Sequence, residues 1–271
     1  MKQYGLIGFP LTHSFSKKYF TEKFIAENLF DCSYENFELE NIQEFISLDF
    51  LANSPSFSEG EGRMRLQEKN LQRSLLKENH KNLCGLNVTI PYKQAIISHL
   101  DEIDATAKEV GAVNTIKFSA GKAKGFNTDI IGFEKTFLPL IKPYHTHALV
   151  FGNGGATKCV EYVLRKIGIQ YQIVSRNPSI NQLGYDDINL FTMRQFHVLI
   201  NCTPVGMFPH QNDVLNIPYE YINSKFLCYD LIYNPTETEF LKRSKQNGAI
   251  TKNGYDMLIE QAEAAWKIWN E

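Results

Sequence analysis

The chain has 271 residues, 43% of them hydrophobic and 21% charged, which is ordinary globular composition and enough for one large core or two smaller ones. A formal net charge of -2 supplies no positive field to gather nucleic acid or an anionic membrane, so small-molecule chemistry is the default expectation. No apolar stretch approaches the length of a membrane span. The N-terminal apolar run is broken by Pro10, and the five cysteines are scattered without a CxxC pair, so the sequence predicts a reduced cytoplasmic protein with no metal site.

Short apolar runs alternate with helix-like stretches, the pattern of α/β layers. In chain order, Tyr4 to Gly8 reads as a strand, Lys17 to Glu27 as a helix and Ser33 to Leu39 as a strand. Ala52 to His80 is rich in Ser, Glu, Asn, Lys and Arg and reads as an insertion, loop-like through Gly62. Met64, Glu68, Leu71 and Leu75 then recur at the spacing of a short surface helix. Leu83 to Thr89 is the next strand, Pro91 suits the first turn of a helix running towards Leu100, and Val113 to Phe118 returns as a strand.

A second series opens with the strand His147 to Phe151, a glycine loop, a helix to about Lys166 stopped by Gly168, and the strand Ile169 to Ser175. Strands at His197 to Cys202 and Phe226 to Tyr233 continue it, and strand, helix, strand in repetition implies a parallel sheet. Leu258, Ala262, Ala265 and Trp269 mark a closing helix from Gly254.

The glycine loop reads Gly152-Asn153-Gly154-Gly155-Ala156-Thr157. Glycines after a strand let backbone N–H groups approach a pyrophosphate at the following helix N-terminus, although Thr157 stands where the usual fingerprint has a third small residue. A binder of unphosphorylated dinucleotide places an acid about 20 residues on, to hold the ribose 2'-hydroxyl. Here that position reads Val174-Ser175-Arg176-Asn177. A guanidinium with no carboxylate beside it favours a 2'-phosphate, hence NADP.

Hydride delivery to a ketone calls for a proton donor beside the oxygen. Tyr-xxx-Lys pairs occur at Tyr19 and Lys23, Tyr162 and Lys166, and Tyr221 and Lys225, a frequency that shows how little the pattern means. The remaining solution is a lysine tuned by a carboxylate. Gly85-Leu86-Asn87-Val88-Thr89-Ile90-Pro91-Tyr92-Lys93 places Asn87 and Thr89 on one strand face and Lys93 in the next helical turn, where the helix dipole would favour proton release. Asp129, in Asn127-Thr128-Asp129, enters an apolar helix. For it and for Asn114, helix capping stands beside catalysis as a reading.

These residues fall in blocks with a family pattern. Gly8-Phe9-Pro10-Leu11-Thr12-His13-Ser14-Phe15-Ser16 resembles the opening of shikimate dehydrogenases. Asn87 to Lys93, Gly111-Ala112-Val113-Asn114-Thr115, Asn127 to Asp129, Asn201-Cys202-Thr203-Pro204-Val205-Gly206-Met207, Asp230-Leu231-Ile232-Tyr233-Asn234-Pro235 and Gly254 to Gln261 follow in the family's order. The resemblance spans nearly the whole chain outside Ala52 to His80. It implies two α/β domains: an N-terminal substrate-binding domain with a mixed sheet over 1–129, completed by the helix 254–271, and a Rossmann-like NADP-binding domain with a parallel sheet over 130–253. The implied activity is the NADP-dependent interconversion of 3-dehydroshikimate and shikimate in aromatic amino acid biosynthesis.

By that resemblance Ser14 and Ser16 hold the substrate carboxylate, while Asn87, Asn114 and Asp129 bind ring hydroxyls. Lys93 and Asp129 form the proton-transfer pair, and Thr89, Tyr233 and Gln261 line the pocket. Gly152, Asn153, Gly154, Gly155, Ala156, Ser175, Arg176 and Thr203 fall on the NADP site, with Leu231 and Gly254 near the nicotinamide. The expected partner is a small-molecule substrate, with no nucleic acid and no membrane, for a monomer or homodimer. Two departures stand out. Pro178-Ser179-Ile180 follow Arg176 where the family commonly has a second basic residue, which opens dual cofactor use, and Ala105 falls where many relatives carry an acid. A quinate/shikimate dehydrogenase accepting NAD is the nearest rival. A non-catalytic NADP-binding sensor is the rival from another class, and it would have no need of Lys93 and Asp129 together.

Overall fold

The computed structural model describes residues 1–11, 15–43, 45 and 82–271. Ser14 and the insertion expected over Ala52 to His80 lie outside them. The chain forms two compact units, Met1–Thr128 with Ala265–Glu271, and Asp129–Ala264.

The first unit is built on β1 (Lys2–Gly8), α1 (Phe15–Ala26), β2 (Cys32–Glu38), β3 (Leu83–Val88), β4 (Glu102–Ile103), α2 (Ala105–Val110), β5 (Thr115–Ser119) and β6 (Lys122–Phe126). Its sheet runs β2-β1-β3-β5-β6-β4 and is mixed, with β1 parallel to β2 and β3, and β5 antiparallel to β3 and β6. Period-two alternation gives the sheet two faces. Ile7, Leu86, Val88, Ile116 and Phe118 pack with Ile96, Ala107, Val113 and Ala123 on one. Tyr4 and Tyr34 look the other way, into an aromatic cluster with Phe20 and Phe24 of α1 and with Trp266 and Trp269. Gly85 lies under that cluster, where any Cβ would overlap the Trp269 indole, whose Nε1 donates to the Ile116 carbonyl at 2.9 Å.

The helix expected from Pro91 does not start there. Residues 90–94 form turns, and a 3-10 helix spans Ala95–His99. The carbonyl of Lys93 accepts from Val113 N–H at 2.7 Å, and Ile97 N–H turns to the Gln94 carbonyl instead, so the single α-type bond from Ile96 N–H to the Tyr92 carbonyl is not continued into an α-helix. Lys93 therefore does not sit in the first turn of an α-helix, and the dipole argument for its proton release does not apply.

The second unit carries α3 (Asp129–Phe137), β7 (His147–Phe151), α4 (Gly155–Lys166), β8 (Gln170–Val174), α5 (Leu190–Gln195), β9 (Val198–Asn201), β10 (Leu227–Asp230), α6 (Glu239–Gln246), β11 (Ile250–Lys252) and the first part of α7 (Tyr255–Asn270). All five strands are parallel, in the order β11-β10-β9-β7-β8. Leu149, Phe151, Val174, Leu199, Phe226, Cys228 and Phe240 belong to its core. Gly168, with φ of 76°, stops α4 in the left-handed conformation that glycine adopts freely. Only Ala265–Glu271 of α7 groups with the first unit. Its earlier turns stay with the second because Gly132 lets α3 approach them, a Cβ there falling against the Met257 carbonyl.

Candidate active site

In the second unit the chain steps outward from β7 to β8 and then returns to β9 on the other side of β7, so β7 and β9 flank a topological switch point. Open α/β sheets bind ligands at such a point, beyond the carboxyl ends of the strands. Phe151 is level with Val174 and with Asn201, and Asn201 with Asp230. Gly152, Ser175, Cys202 and Leu231 therefore leave the sheet along one edge.

Gly152 turns with φ of 100°, and a Cβ on it would sit 3.0 Å from Thr203 Cγ2, so the turn seats directly on the β9 loop. Thr157 is buried and its hydroxyl donates back to the Gly152 carbonyl at 2.9 Å. It closes the turn from within, which accounts for a threonine where a small residue was expected. Gly154 caps α4 with no side-chain hydrogen bond, and a Cβ on Gly154 or Gly155 would meet nothing within 4 Å. Uncapped N–H groups, open space above the backbone and the positive end of a 12-residue helix suit a phosphate-bearing group. Ser175 is buried at the end of β8, its Oγ paired with Asn177 N–H and C=O, while Arg176 is exposed beside it with no carboxylate from 175 to 177. The residues present fit NADP.

A buried polar knot ties this edge together. Asp230 accepts from Asn201 Nδ2 and Ile232 N–H, each at 3.0 Å, and from the Thr238 hydroxyl at 2.6 Å. Asn201 Oδ1 in turn accepts from Thr203 N–H and Oγ, fixing the loop against which Gly152 turns. Burial pushes the Asp230 carboxyl up to about 6, against the pull of those hydrogen bonds. Gly254 N–H donates to the Ile232 carbonyl at 3.0 Å, and a Cβ on Gly254 would overlap the Leu231 carbonyl, so Leu231 and Gly254 lie side by side.

The first unit holds a second buried network. Asn87, Asn114, Thr115 and Thr128 are all buried. The Tyr34 hydroxyl donates to Asn87 Oδ1 at 2.7 Å and is itself hydrogen-bonded by Ser16. Asn87 Nδ2 lies 3.3 Å from Thr115 Oγ1 and 3.4 Å from the Asn114 carbonyl. Asn114 Oδ1 accepts from Thr128 N–H at 2.7 Å while its Nδ2 donates to Thr128 Oγ1 at 3.0 Å, so Asn114 pins the residue just before Asp129. Ser16, Asn87 and Asn114 are thus joined through Tyr34, Thr115 and Thr128, none of which the sequence singled out as a site residue.

Thr89 continues the β3 ladder, donating to the Ile7 carbonyl at 2.9 Å, and its methyl packs over Gly8. Lys93 is half-buried in the first unit, and Asp129 opens α3 in the second. Tyr233 is exposed in the loop after β10, and Gln261 is buried on α7 with Nε2 donating to the Leu258 carbonyl at 3.0 Å. Tyr34 gives no local signal, whereas Asn201 and Asp230 are legible as polar residues closing apolar strands. Among the described residues, no helix is long and apolar enough to cross a membrane, and no group of His, Cys, Asp and Glu is placed to hold a metal ion.

A parallel sheet with an anion-ready glycine turn at its switch point defines a dinucleotide-binding α/β protein, here joined to a second α/β unit with a mixed sheet and a buried polar face. Comparison with known proteins narrows the class. The profile of the shikimate dehydrogenase substrate binding domain matches residues 62–116, a match that begins inside the stretch read as an insertion. The NADP(+) shikimate dehydrogenase of Methanosphaera stadtmanae is 33% identical over 98% of this chain and 90% of its own length. A Thermus thermophilus shikimate 5-dehydrogenase solved with NADP(H) and shikimate is 28% identical, with a TM-score of 0.74 over 99% of this chain and 93% of that one. The quinate dehydrogenase of Corynebacterium glutamicum, solved with NAD, is 26% identical with a TM-score of 0.76 over 99% and 93%. The chain belongs to the shikimate dehydrogenase family.

Proposed function

We propose that the protein is a shikimate dehydrogenase, an NADP-dependent oxidoreductase that reversibly reduces 3-dehydroshikimate to shikimate in aromatic amino acid biosynthesis. The similarity to an NADP(+) shikimate dehydrogenase over 98% of the chain carries this reading. The unit Met1–Thr128, with the end of α7, is the substrate-binding part, and Asp129–Ala264 the cofactor-binding part.

NADPH, when bound, supplies the hydride to the ring ketone. The chain's own residues do the rest. Gly152, Asn153, Gly154, Gly155 and Ala156 receive the pyrophosphate, and Arg176 clamps the 2'-phosphate with Ser175 beside it. Thr203, Leu231 and Gly254 position the nicotinamide end. Ser14 and Ser16 donate to the substrate carboxylate, and Asn87, Thr89, Asn114, Tyr233 and Gln261 hold the ring. Lys93 gives the proton to the developing alkoxide, and Asp129 holds the adjacent hydroxyl and favours the charged lysine. A pocket lined with amides and hydroxyls rejects a ring lacking a hydroxyl, because each unmade bond costs about 1 to 3 kcal/mol.

Five free thiols accord with a reducing cytoplasm, where the protein works as a monomer or homodimer. The test is to follow NADPH and NADH formation with shikimate, with quinate and with neither. Shikimate with NADP should be the fastest pair, and quinate with NAD as the fastest would replace this reading by its rival. The single cation at Arg176, followed by Asn177 and Pro178, favours measurable secondary use of NAD.

A further inference from the structure

The Tyr34 phenol is buried between two residues assigned to the substrate, and proton bookkeeping fixes what it does there. Asn87 Oδ1 is an acceptor only, so in the 2.7 Å contact the phenol must be the donor. Its one proton is then spent, and in the contact with Ser16 the serine hydroxyl must donate. Burial holds the phenol far above its usual pKa, so it stays a donor across the working pH range. At the other end of the same amide, Nδ2 faces two acceptors, Thr115 Oγ1 and the Asn114 carbonyl. A flipped Asn87 would turn its oxygen onto the Asn114 carbonyl oxygen, so only one orientation satisfies both ends.

We propose that Tyr34 is a positioning residue for substrate recognition, its hydroxyl fixing the Asn87 amide so that Oδ1, which keeps a second lone pair while both Nδ2 protons are engaged by Thr115 and Asn114, is presented as an acceptor to a ring hydroxyl. This rests on the assignment of Asn87 to the substrate. Tyr34 also serves as the resting acceptor for Ser16, which turns its proton onto a carboxylate when one arrives, leaving the Tyr34 bond to Asn87 in place. The ring itself is held independently, stacked on Phe20 at 4.7 Å, so removing the hydroxyl leaves the packing of the unit intact.

The test is Tyr34→Phe, measured alone and combined with Asn87→Ala. Tyr34→Phe should raise the KM for shikimate roughly five- to tenfold, the worth of one ordinary hydrogen bond, and leave the KM for NADP unchanged. In the Asn87→Ala background the same change should alter KM by less than about twofold, since coupled residues are not additive. An unchanged shikimate KM, or an equal factor in both backgrounds, would overturn the inference while the proposed activity stands. A Tyr34→Phe chain that fails to fold would also overturn it, by making the hydroxyl structural. A wild-type chain without activity on shikimate or quinate would remove the activity and this inference together.

Discussion

Replacing Asp230 with asparagine should change the pH dependence of stability in a direction opposite to that of most carboxylates. Asp230 is fully buried at the end of β10, and burial raises its carboxyl from the ordinary 3.8 to about 6. A raised pKa means that the folded protein binds this proton more tightly than the unfolded chain between those two values. Stability contributed by the group is therefore greatest below about pH 4 and is lost as pH rises through about 6. The shift is about two units, which at about 1.4 kcal/mol per unit makes about 3 kcal/mol lost by neutral pH. The amide that replaces the carboxyl in the variant carries no charge and cannot show this loss. The unfolding free energy of wild type minus that of Asp230→Asn should therefore fall by about 3 kcal/mol between about pH 4 and pH 7, all other carboxylates cancelling in the difference.

Urea unfolding followed by far-UV circular dichroism measures this. Tryptophan fluorescence would not, because the two tryptophans, Trp266 and Trp269, both belong to the first unit. Parallel pH profiles for the two proteins, or a difference that grows with pH, would refute the account of Asp230 as a carboxylate held charged against its burial.

Three further outcomes follow from the assigned roles. Lys93→Ala should lower kcat by roughly two to four powers of ten with a much smaller change in KM, the contribution of a general acid, and near wild-type turnover would remove Lys93 from the mechanism. Asp129→Asn should impair both kcat and the KM for shikimate, whereas a lowered Tm with unchanged kinetics would return Asp129 to helix capping. Arg176→Ala should raise the KM for NADP roughly ten- to a hundredfold, a charge-assisted contact of about 1.5 to 3 kcal/mol, and leave that for NAD nearly unchanged; equal loss for both would mean that Arg176 only shapes the loop.

The second unit was legible because its central strands β7, β9 and β10 are buried on both faces and read as apolar runs, with β7 over His147–Phe151 as the sequence predicts, whereas the half-exposed edge strand β11 gave no such signal. Two other strands end a residue or more sooner than the sequence predicts, β8 at Val174 and β10 at Asp230, because the sheet stops where Gly152 and the Asn201 to Asp230 knot begin. The first unit was harder. β6 escaped notice because its buried positions are Ala123 and Gly125, which carry almost no hydrophobic signal between exposed or half-exposed lysines. Gly125 is small for a reason that appears only in three dimensions, since a Cβ there would press on Leu100 and Val113. The hairpin before it turns through Ala120 and Gly121, both at positive φ, where an Asn-Gly pair would have announced the turn. The same limit applies to the site. Asn87 and Asn114 stand out as amides among apolar neighbours, but the hydroxyl that orients Asn87 comes from a residue 53 positions earlier. Only the order β2-β1-β3 brings it there, with Tyr34 level with Tyr4 across one strand and Asn87 level with Leu6 on the other side. A residue that acts by aiming another leaves its mark in strand order and proton count, and neither can be read from the spacing of residues along the chain.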